Sequence, residues 1–223
     1  MLEAMNDGQE SNLLQGAPDR HVSGYEATLI DWHSRTMKDA ALRHIDRPVR
    51  GAVLDVGCGP GILLATLAGE NPALHLAGID LAPEMICVAK DRLGSRADIR
   101  LWDAEQLPWE DGQFDLITCV NSFHRYPHPR RVLAEMHRVL KLGGMLVIAD
   151  PWAPPVVRQV MNLVRALQDK GNGIMYGRRE MMWMLGKEGF EQPAWTQEGS
   201  IGFVATAKVP NVVPGMTDAE MTA

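Results

Sequence analysis

Apolar positions along this chain follow two alternating rhythms. Short apolar runs recur between longer stretches in which apolar residues return every three or four positions. Ala52-Val53-Leu54, with Asp55 and Val56, is too short for a helix and reads as a buried strand. Leu74 to Ile79, Ile99 to Trp102, Phe114 to Val120 and Met145 to Ala149 repeat the pattern. Between them Ile62, Leu63, Leu64, Leu67 and Ala68 show helical spacing, as do Met85, Ile86, Val88, Ala89 and Leu93. A third helix spans Arg130 to Lys141, with Val132, Leu133, Met136, Val139 and Leu140 inward. Punctuation agrees. Gly69 to Pro72 closes the first helix, Pro83 suits the first turn of the second, and Gly143-Gly144 end the third. Strands alternating with helices imply βαβ units, and so a parallel sheet with right-handed crossovers.

After Asp150 the rhythm changes. Pro151, Pro154 and Pro155 break the chain, Val156 to Leu167 forms a wide-striped helix, and Arg178 to Lys187 another beyond the break at Gly171 to Gly173. Phe190 to Gln197 and Ile201 to Lys208 read as a closing hairpin around Glu198-Gly199-Ser200. Upstream, Tyr25, Leu29, Ile30, Trp32, Met37, Ala41, Leu42 and Ile45 predict a helix over 24–46 that stops before Pro48, because a residue preceding proline leaves the α region. The expected organisation is a flexible N-terminus (1–20), a single domain (21–209) and a flexible tail (210–223). The domain comprises the N-terminal helix, a ligand-binding core (50–150), a helical insert (151–188) and the hairpin (190–208). The fold class is α/β: a three-layer Rossmann-like sandwich whose seven-stranded sheet is mostly parallel and ends in an antiparallel hairpin.

Composition narrows the function. A chain of 223 residues with 46% hydrophobic content suits one domain with an ample core. Its net charge of −6 argues against a nucleic-acid binder, which presents a basic face. No apolar run is long enough to span a bilayer, and the polar first twenty residues lack a signal peptide's apolar core. Three scattered cysteines make no disulfide framework, and no metal-ligand spacing is visible. These features predict a cytoplasmic protein.

The chemistry gathers at the carboxyl ends of the strands, where ligands bind in open parallel sheets. After the first strand come Gly57, Cys58, Gly59 and Gly61, whose glycines allow positive φ and close approach of backbone to ligand. After the second comes Asp80, about 20 residues on, where an acid accepts from ribose hydroxyls. Asp80 also suits the cap of the helix at Pro83, and the two roles are compatible. After the third come Asp103 and Ala104, a carboxylate and an amide able to read the amino edge of an adenine. After the fourth come Asn121, Ser122 and His124. Cys58 and Cys119 read as small apolar fillers. Met161, Met175, Met181, Met182 and Met184 read first as core packing of the insert and second as a plastic substrate wall. Arg125, Arg130, Arg131 and Arg138 read as a solvated helix face rather than a steering patch for anions.

These segments carry a resemblance. Val53-Leu54-Asp55-Val56-Gly57-Cys58-Gly59-Pro60-Gly61 resembles motif I of class I S-adenosylmethionine-dependent methyltransferases. Gly78 to Met85 and Asp103 to Pro108 are similar to the second and third motifs. Phe114 to Ile117, Ser122 to His124 and Val139 to Gly144 resemble the later ones, with Leu142 where the family most often has proline. The nearest subgroup is the small-molecule type 11 set, which includes ubiquinone- and menaquinone-biosynthesis methyltransferases. The resemblance implies S-adenosylmethionine as cofactor, S-adenosylhomocysteine as product and a small, partly apolar methyl acceptor. It implies that Gly57 and Gly59 approach the methionyl part, with Asp55 near its amino group and Cys58 and Gly61 completing the loop. Asp80 would hold the ribose, Leu81 and Met85 would sandwich the adenine, and Asp103 and Ala104 would bond its edge. Asn121 would present backbone to the methionyl amine.

Methyl transfer from a sulfonium is an in-line displacement with a good leaving group, so orientation supplies most of the catalysis. A base is needed only where the acceptor loses a proton, and His124 is the candidate. Tyr25 and Trp32, with Tyr126, Met175 and Tyr176, are candidates to close over the acceptor. Two rivals stand beside this reading: a cofactor-binding sensor or assembly protein without catalysis, and an NAD-dependent dehydrogenase. Ile62 stands where the dehydrogenase fingerprint requires its third glycine.

Overall fold

The computed structural model describes residues 35–167 and 173–211. Expectations for Tyr25, Trp32, the first 34 residues, the Gly171 break and the tail beyond 211 lie outside them. Within the described residues the chain runs helix α1 (35–43), strand β1 (Ala52–Val56), α2 (Ile62–Glu70), β2 (His75–Asp80), α3 (Pro83–Leu93) and β3 (Ala97–Leu101). Then follow β4 (Phe114–Val120), α4 (Pro129–Val139), β5 (Leu140–Pro151), α5 (Pro155–Leu167), α6 (Arg178–Lys187), β6 (Glu191–Glu198) and β7 (Gly202–Lys208). The sheet has seven strands in the order β3-β2-β1-β4-β5-β7-β6. The first five are parallel, and β7 joins β5 antiparallel with β6 at the edge. The order reverses at β1 and β4, and in open α/β sheets ligands bind at that switch point, outside the carboxyl ends of the strands.

Strand residues alternate between two apolar layers, because successive side chains of a strand point to opposite faces. Val53, Leu76, Leu116 and Val147 pack with Met37 of α1, Leu63, Leu64 and Leu67 of α2, and Ile86 and Ala89 of α3. Leu54, Val56, Ile79, Ile117 and Ile148 pack on the other side with Val132, Leu133 and Met136 of α4 and Met181, Met184 and Leu185 of α6. Each fully buried side chain of this size contributes about 1.5–3 kcal/mol of transfer free energy. The helix methionines Met181 and Met184 are therefore core, and Met175 is buried too.

Two sequence expectations change. The first helix ends at 43, short of Pro48, as the His44 amide turns back to the Ala41 carbonyl at 3.0 Å. Gly143 and Gly144 do not terminate α4. Leu140 is already extended and paired with Phe114, and the ladder resumes at Leu116 with Met145, so residues 141–144 bulge out of β5. The arginines of α4 form the solvated face that the sequence predicts, Arg130 and Arg131 being exposed, and each is ion-paired there. Arg138 donates to Glu135, to Asp111 and to the carbonyls of Leu107 and Trp109, which ties down the loop after β3, and Arg130 and Arg131 pair with Glu188 and Glu105.

Candidate functional site

The glycine turn after β1 is pinned from beneath. The amides of Gly57 and Cys58 both donate to the Ile79 carbonyl, at 2.9 and 2.8 Å. Gly57 has φ 76, and a Cβ there would stand 2.5 Å from the side chain of Ser122 and 3.0 Å from the Tyr126 hydroxyl. Gly59 has φ 51, and a Cβ there would meet nothing within 4 Å. The first glycine is thus demanded by the protein's own packing, while the second turns bare backbone to the crevice. Helix α2 follows with Gly61 at its N-cap, no side-chain cap and no acid in its first turn, which leaves its positive end open to an anionic group.

Asp80, at the end of β2, is half-buried. Its Oδ2 accepts from the Gly59 amide at 2.9 Å and its Oδ1 from the Ala82 amide at 2.9 Å. Each carboxylate oxygen keeps a lone pair free for a further donor. Beyond it Leu81 is 46% and Met85 37% exposed. They stand four residues apart at the start of α3, which begins at Pro83 as the sequence predicts. Asp103 is exposed, with Oδ1 accepting from the Glu105 amide at 2.9 Å, and Ala104 is buried. The Asp103 side chain therefore shapes its own turn and retains a second oxygen facing solvent.

Asp55 is buried within β1. The β1–β4 register sets it beside Thr118, whose hydroxyl donates to Oδ1 at 2.7 Å. Burial pushes its carboxyl up to about 7; the Thr118 bond opposes the shift and the charge of Asp80 adds to it. Cys58 and Cys119 are buried, and desolvation pushes both thiols well above the usual range, so neither is a thiolate nucleophile.

After β4 the chain turns sharply. Asn121 sits at φ 56, a left-handed conformation that asparagine tolerates better than most residues, and its amide donates to the Ala149 carbonyl at 2.7 Å. Ser122 is buried and donates to the Val56 carbonyl at 3.0 Å, tying the end of β4 to β1. A single turn of 3-10 helix, Phe123–Arg125, then folds His124 back over the end of β5. Asp150 Oδ2 accepts the His124 amide at 2.8 Å, and Oδ1 lies 3.0 Å from His124 Nδ1. Asp150 is 1% exposed, so its charge is held away from water. With Nδ1–H donating to that carboxylate, the imidazole carries its lone pair on Nε2. Phe123 packs edge-to-face on Tyr126 and Tyr176, with centroids at 6.0 and 5.5 Å, and makes an aromatic wall beside the histidine. Burial raises the Tyr126 and Tyr176 hydroxyls above their ordinary value, Tyr176 to about 12, so both remain neutral donors. Met175 and Tyr176 are buried beneath α5 rather than exposed to a ligand.

Asp150 and Thr118 were not among the residues singled out from sequence. Asp150 ends the apolar run of β5, so the strand-end rule that picks Asp80 and Asp103 reaches it as well. Thr118 carries no such signal, because its partner Asp55 lies across the sheet.

A methyltransferase-domain family model matches residues 54–148. Demethylmenaquinone methyltransferase of Staphylococcus aureus is 33% identical over 177 residues, which is 77% of this chain and 67% of the relative. Among solved structures, a possible histamine N-methyltransferase of Thermotoga maritima superposes with a TM-score of 0.66 at 21% identity, over 85% of this chain and 96% of the other. Geranyl diphosphate methyltransferase, in complex with geranyl diphosphate and sinefungin, does so with a TM-score of 0.65 at 18% identity, over 78% and 77%. This chain belongs to the class I S-adenosylmethionine-dependent methyltransferases, in the type 11 group. It is an enzyme of methyl transfer, and S-adenosylmethionine is its cofactor.

Proposed function

We propose that this enzyme methylates a small, partly apolar acceptor of the quinol class by in-line displacement, with His124 as general base. The observation that carries the reading is the His124–Asp150 pair at the carboxyl end of the sheet, on a turn braced from within by Phe123. The 33% identical demethylmenaquinone methyltransferase supports the acceptor class.

Several features fit the cofactor. Gly59 offers backbone without obstruction, α2 offers an uncapped positive end, and Asp80 offers two spare lone pairs. Leu81 and Met85 offer exposed apolar surface next to Asp80. In this reading the loop Gly57, Cys58, Gly59 and Gly61 cradles the methionyl end, with Asp55 and the Asn121 backbone toward its ammonium. Asp80 takes the ribose hydroxyls, Leu81 and Met85 flank the adenine, and Asp103 and the Ala104 amide take its edge. When bound, S-adenosylmethionine supplies an electrophilic methyl group and leaves as a neutral thioether.

The chain's own work is orientation and one proton. Phe123 and Tyr176, both buried, brace the turn that carries His124 and Tyr126, and orientation of the acceptor against the sulfonium face is worth up to about 7–11 kcal/mol. As the acceptor's nucleophilic carbon or oxygen takes the methyl group, it must lose a proton, which His124 Nε2 accepts. Asp150 stabilises the imidazolium so formed without itself taking the proton. Tyr25 and Trp32 are proposed to complete the acceptor's cover.

Purified enzyme incubated with S-adenosylmethionine and a reduced, short-chain demethylnaphthoquinol tests this. Product gaining one CH2 by mass spectrometry is expected, and His124→Ala is expected to lower kcat roughly 10²–10⁴-fold. Full turnover by His124→Ala removes the base role, and no product from any quinol removes the acceptor class.

A further inference from the structure

Helix α5 turns its polar face toward the body of the protein. Asn162 exchanges two 3.0 Å bonds with the backbone of Met175, and Arg158, one turn earlier on the same face, lies against the backbone of Gly177. Gly177 has φ −97, which any residue adopts, so the glycine is required by proximity: a Cβ there would collide with the Arg158 guanidinium. The Arg158 side chain is only 15% exposed. Its ion-pair partner Glu180 stands 3.7 Å away and already accepts the Gly177 amide at 2.6 Å. Among the described residues the Arg158 guanidinium therefore donates no hydrogen bond. A guanidinium carries five donors, and a mostly buried one without acceptors is costly.

Arg178 and Arg179 open α6, exposed and without a hydrogen-bond or ion-pair partner among the described residues. Cations are disfavoured at that end of a helix, where the macrodipole is positive. These three arginines, with Trp152 and Trp195, line a groove of about 690 Å³ in which Glu180 is the single acid. Trp195 is a fixed wall, stacked on Phe203 with centroids 3.9 Å apart and planes at 11°. The groove adjoins the catalytic pair. Trp152 stands two residues past Asp150, about 7 Å along an extended chain, and its amide donates to the Ile201 carbonyl at 2.8 Å. Tyr176, next to Gly177, packs edge-to-face on Phe123 at 5.5 Å, and burial, then the charges of Asp150 and Glu180, raise its hydroxyl. One ring thus separates the groove from the turn that carries His124.

We propose that this groove is the anion subsite of the methyl acceptor, with a carboxylate or phosphate held by Arg158, Arg178 and Arg179 and the apolar frame that bears it lying on Trp152 and Trp195. The inference rests on the reading of a small, partly apolar acceptor and adds an acidic group to it. Guanidinium forks match the paired oxygens of such a group. The anion supplies the acceptors that Arg158 lacks and the counter-charge that the first turn of α6 lacks, while the indoles cover its frame.

Calorimetry on the full-length protein tests this, with naphthoate and naphthyl phosphate compared against neutral naphthol. The anions are expected to bind, naphthol roughly tenfold or more weaker, and the tighter anion names the acidic group. Arg178→Gln/Arg179→Gln is expected to weaken that anion roughly tenfold or more, with the affinity for S-adenosylmethionine and the melting temperature at wild-type values. Arg158→Lys, which keeps the charge and loses the fork, should weaken it as well. Saturating S-adenosylhomocysteine should not displace the anion. Equal affinity for all three probes, or no binding of either anion, overturns the inference. So does anion binding that the double variant retains or that S-adenosylhomocysteine abolishes. The acceptor reading fails separately: arginine-dependent anion binding with no methylation of any quinol rejects the acceptor class and leaves the anion site standing.

Discussion

Asp150 grips His124 twice, accepting the backbone amide at 2.8 Å on one carboxylate oxygen and lying 3.0 Å from Nδ1 with the other. The first bond fixes the turn after β4, and the second fixes the tautomer of the ring. Asp150→Asn separates the two, since the amide oxygen still accepts the backbone N–H while its NH2 group faces Nδ1 and favours the wrong tautomer. The expected result is a kcat lowered roughly 10²–10⁴-fold with KM for S-adenosylmethionine unchanged. The melting curve reports whether the fold survives.

Asp55 is expected to couple cofactor binding to protons. Its folded pKa of about 7 lies above the unfolded value of about 3.9. This group's contribution to stability is therefore fully present below about pH 4 and is lost as pH rises through about 7. A cationic ammonium brought near Asp55 favours the carboxylate, so binding at neutral pH should release a proton. Affinity for S-adenosylmethionine is expected to rise from pH 6 to 8, by at most about tenfold per pH unit for one linked proton. Calorimetry in buffers of different ionisation enthalpy measures the release, and Asp55→Asn should abolish it.

Thr118→Val tests the same carboxyl from its partner's side. Removing the 2.7 Å donor leaves a buried acid without a protein bond and should cost about 1–3 kcal/mol, measured by urea denaturation. The loss should be larger at pH 8 than at pH 5, because only the ionised form relies on the hydroxyl.

Gly57→Ala and Gly59→Ala should differ in kind. The first drives a methyl group into Ser122 and should destabilise by several times the ~1 kcal/mol that left-handed backbone costs alanine. The second has open space, should cost only about that 1 kcal/mol, and should weaken S-adenosylmethionine binding through the crevice face. Thermal melts paired with titration calorimetry distinguish them.

Leu81→Ala and Met85→Ala should leave stability within about 0.5 kcal/mol, because both side chains are substantially exposed. Cofactor affinity should nevertheless fall several-fold if they flank the adenine. Wild-type affinity in the double variant would remove that role.

The frame of this enzyme was legible because it rests on local patterns. Five apolar runs separated by helical spacing, Pro83 opening α3 and the glycine turn after β1 require only knowledge of neighbouring residues. The positions of Asp80, the last residue of β2, and Asp103, two residues past the end of β3, were legible for the same reason, since both stand at the carboxyl end of the parallel sheet. What sequence alone could not assign were relationships across the sheet. The register that sets Thr118 beside Asp55, the turn that folds His124 onto Asp150 and the bulge at Gly143 arise only when distant strands pair. Helix α5 shows the limit most plainly. Its periodicity declares an amphipathic helix, but only the hydrogen bonds from Asn162 to Met175 and from Arg165 to Gly173 decide that the polar face turns inward. Period specifies which residues share a face, and tertiary contacts choose which way that face looks.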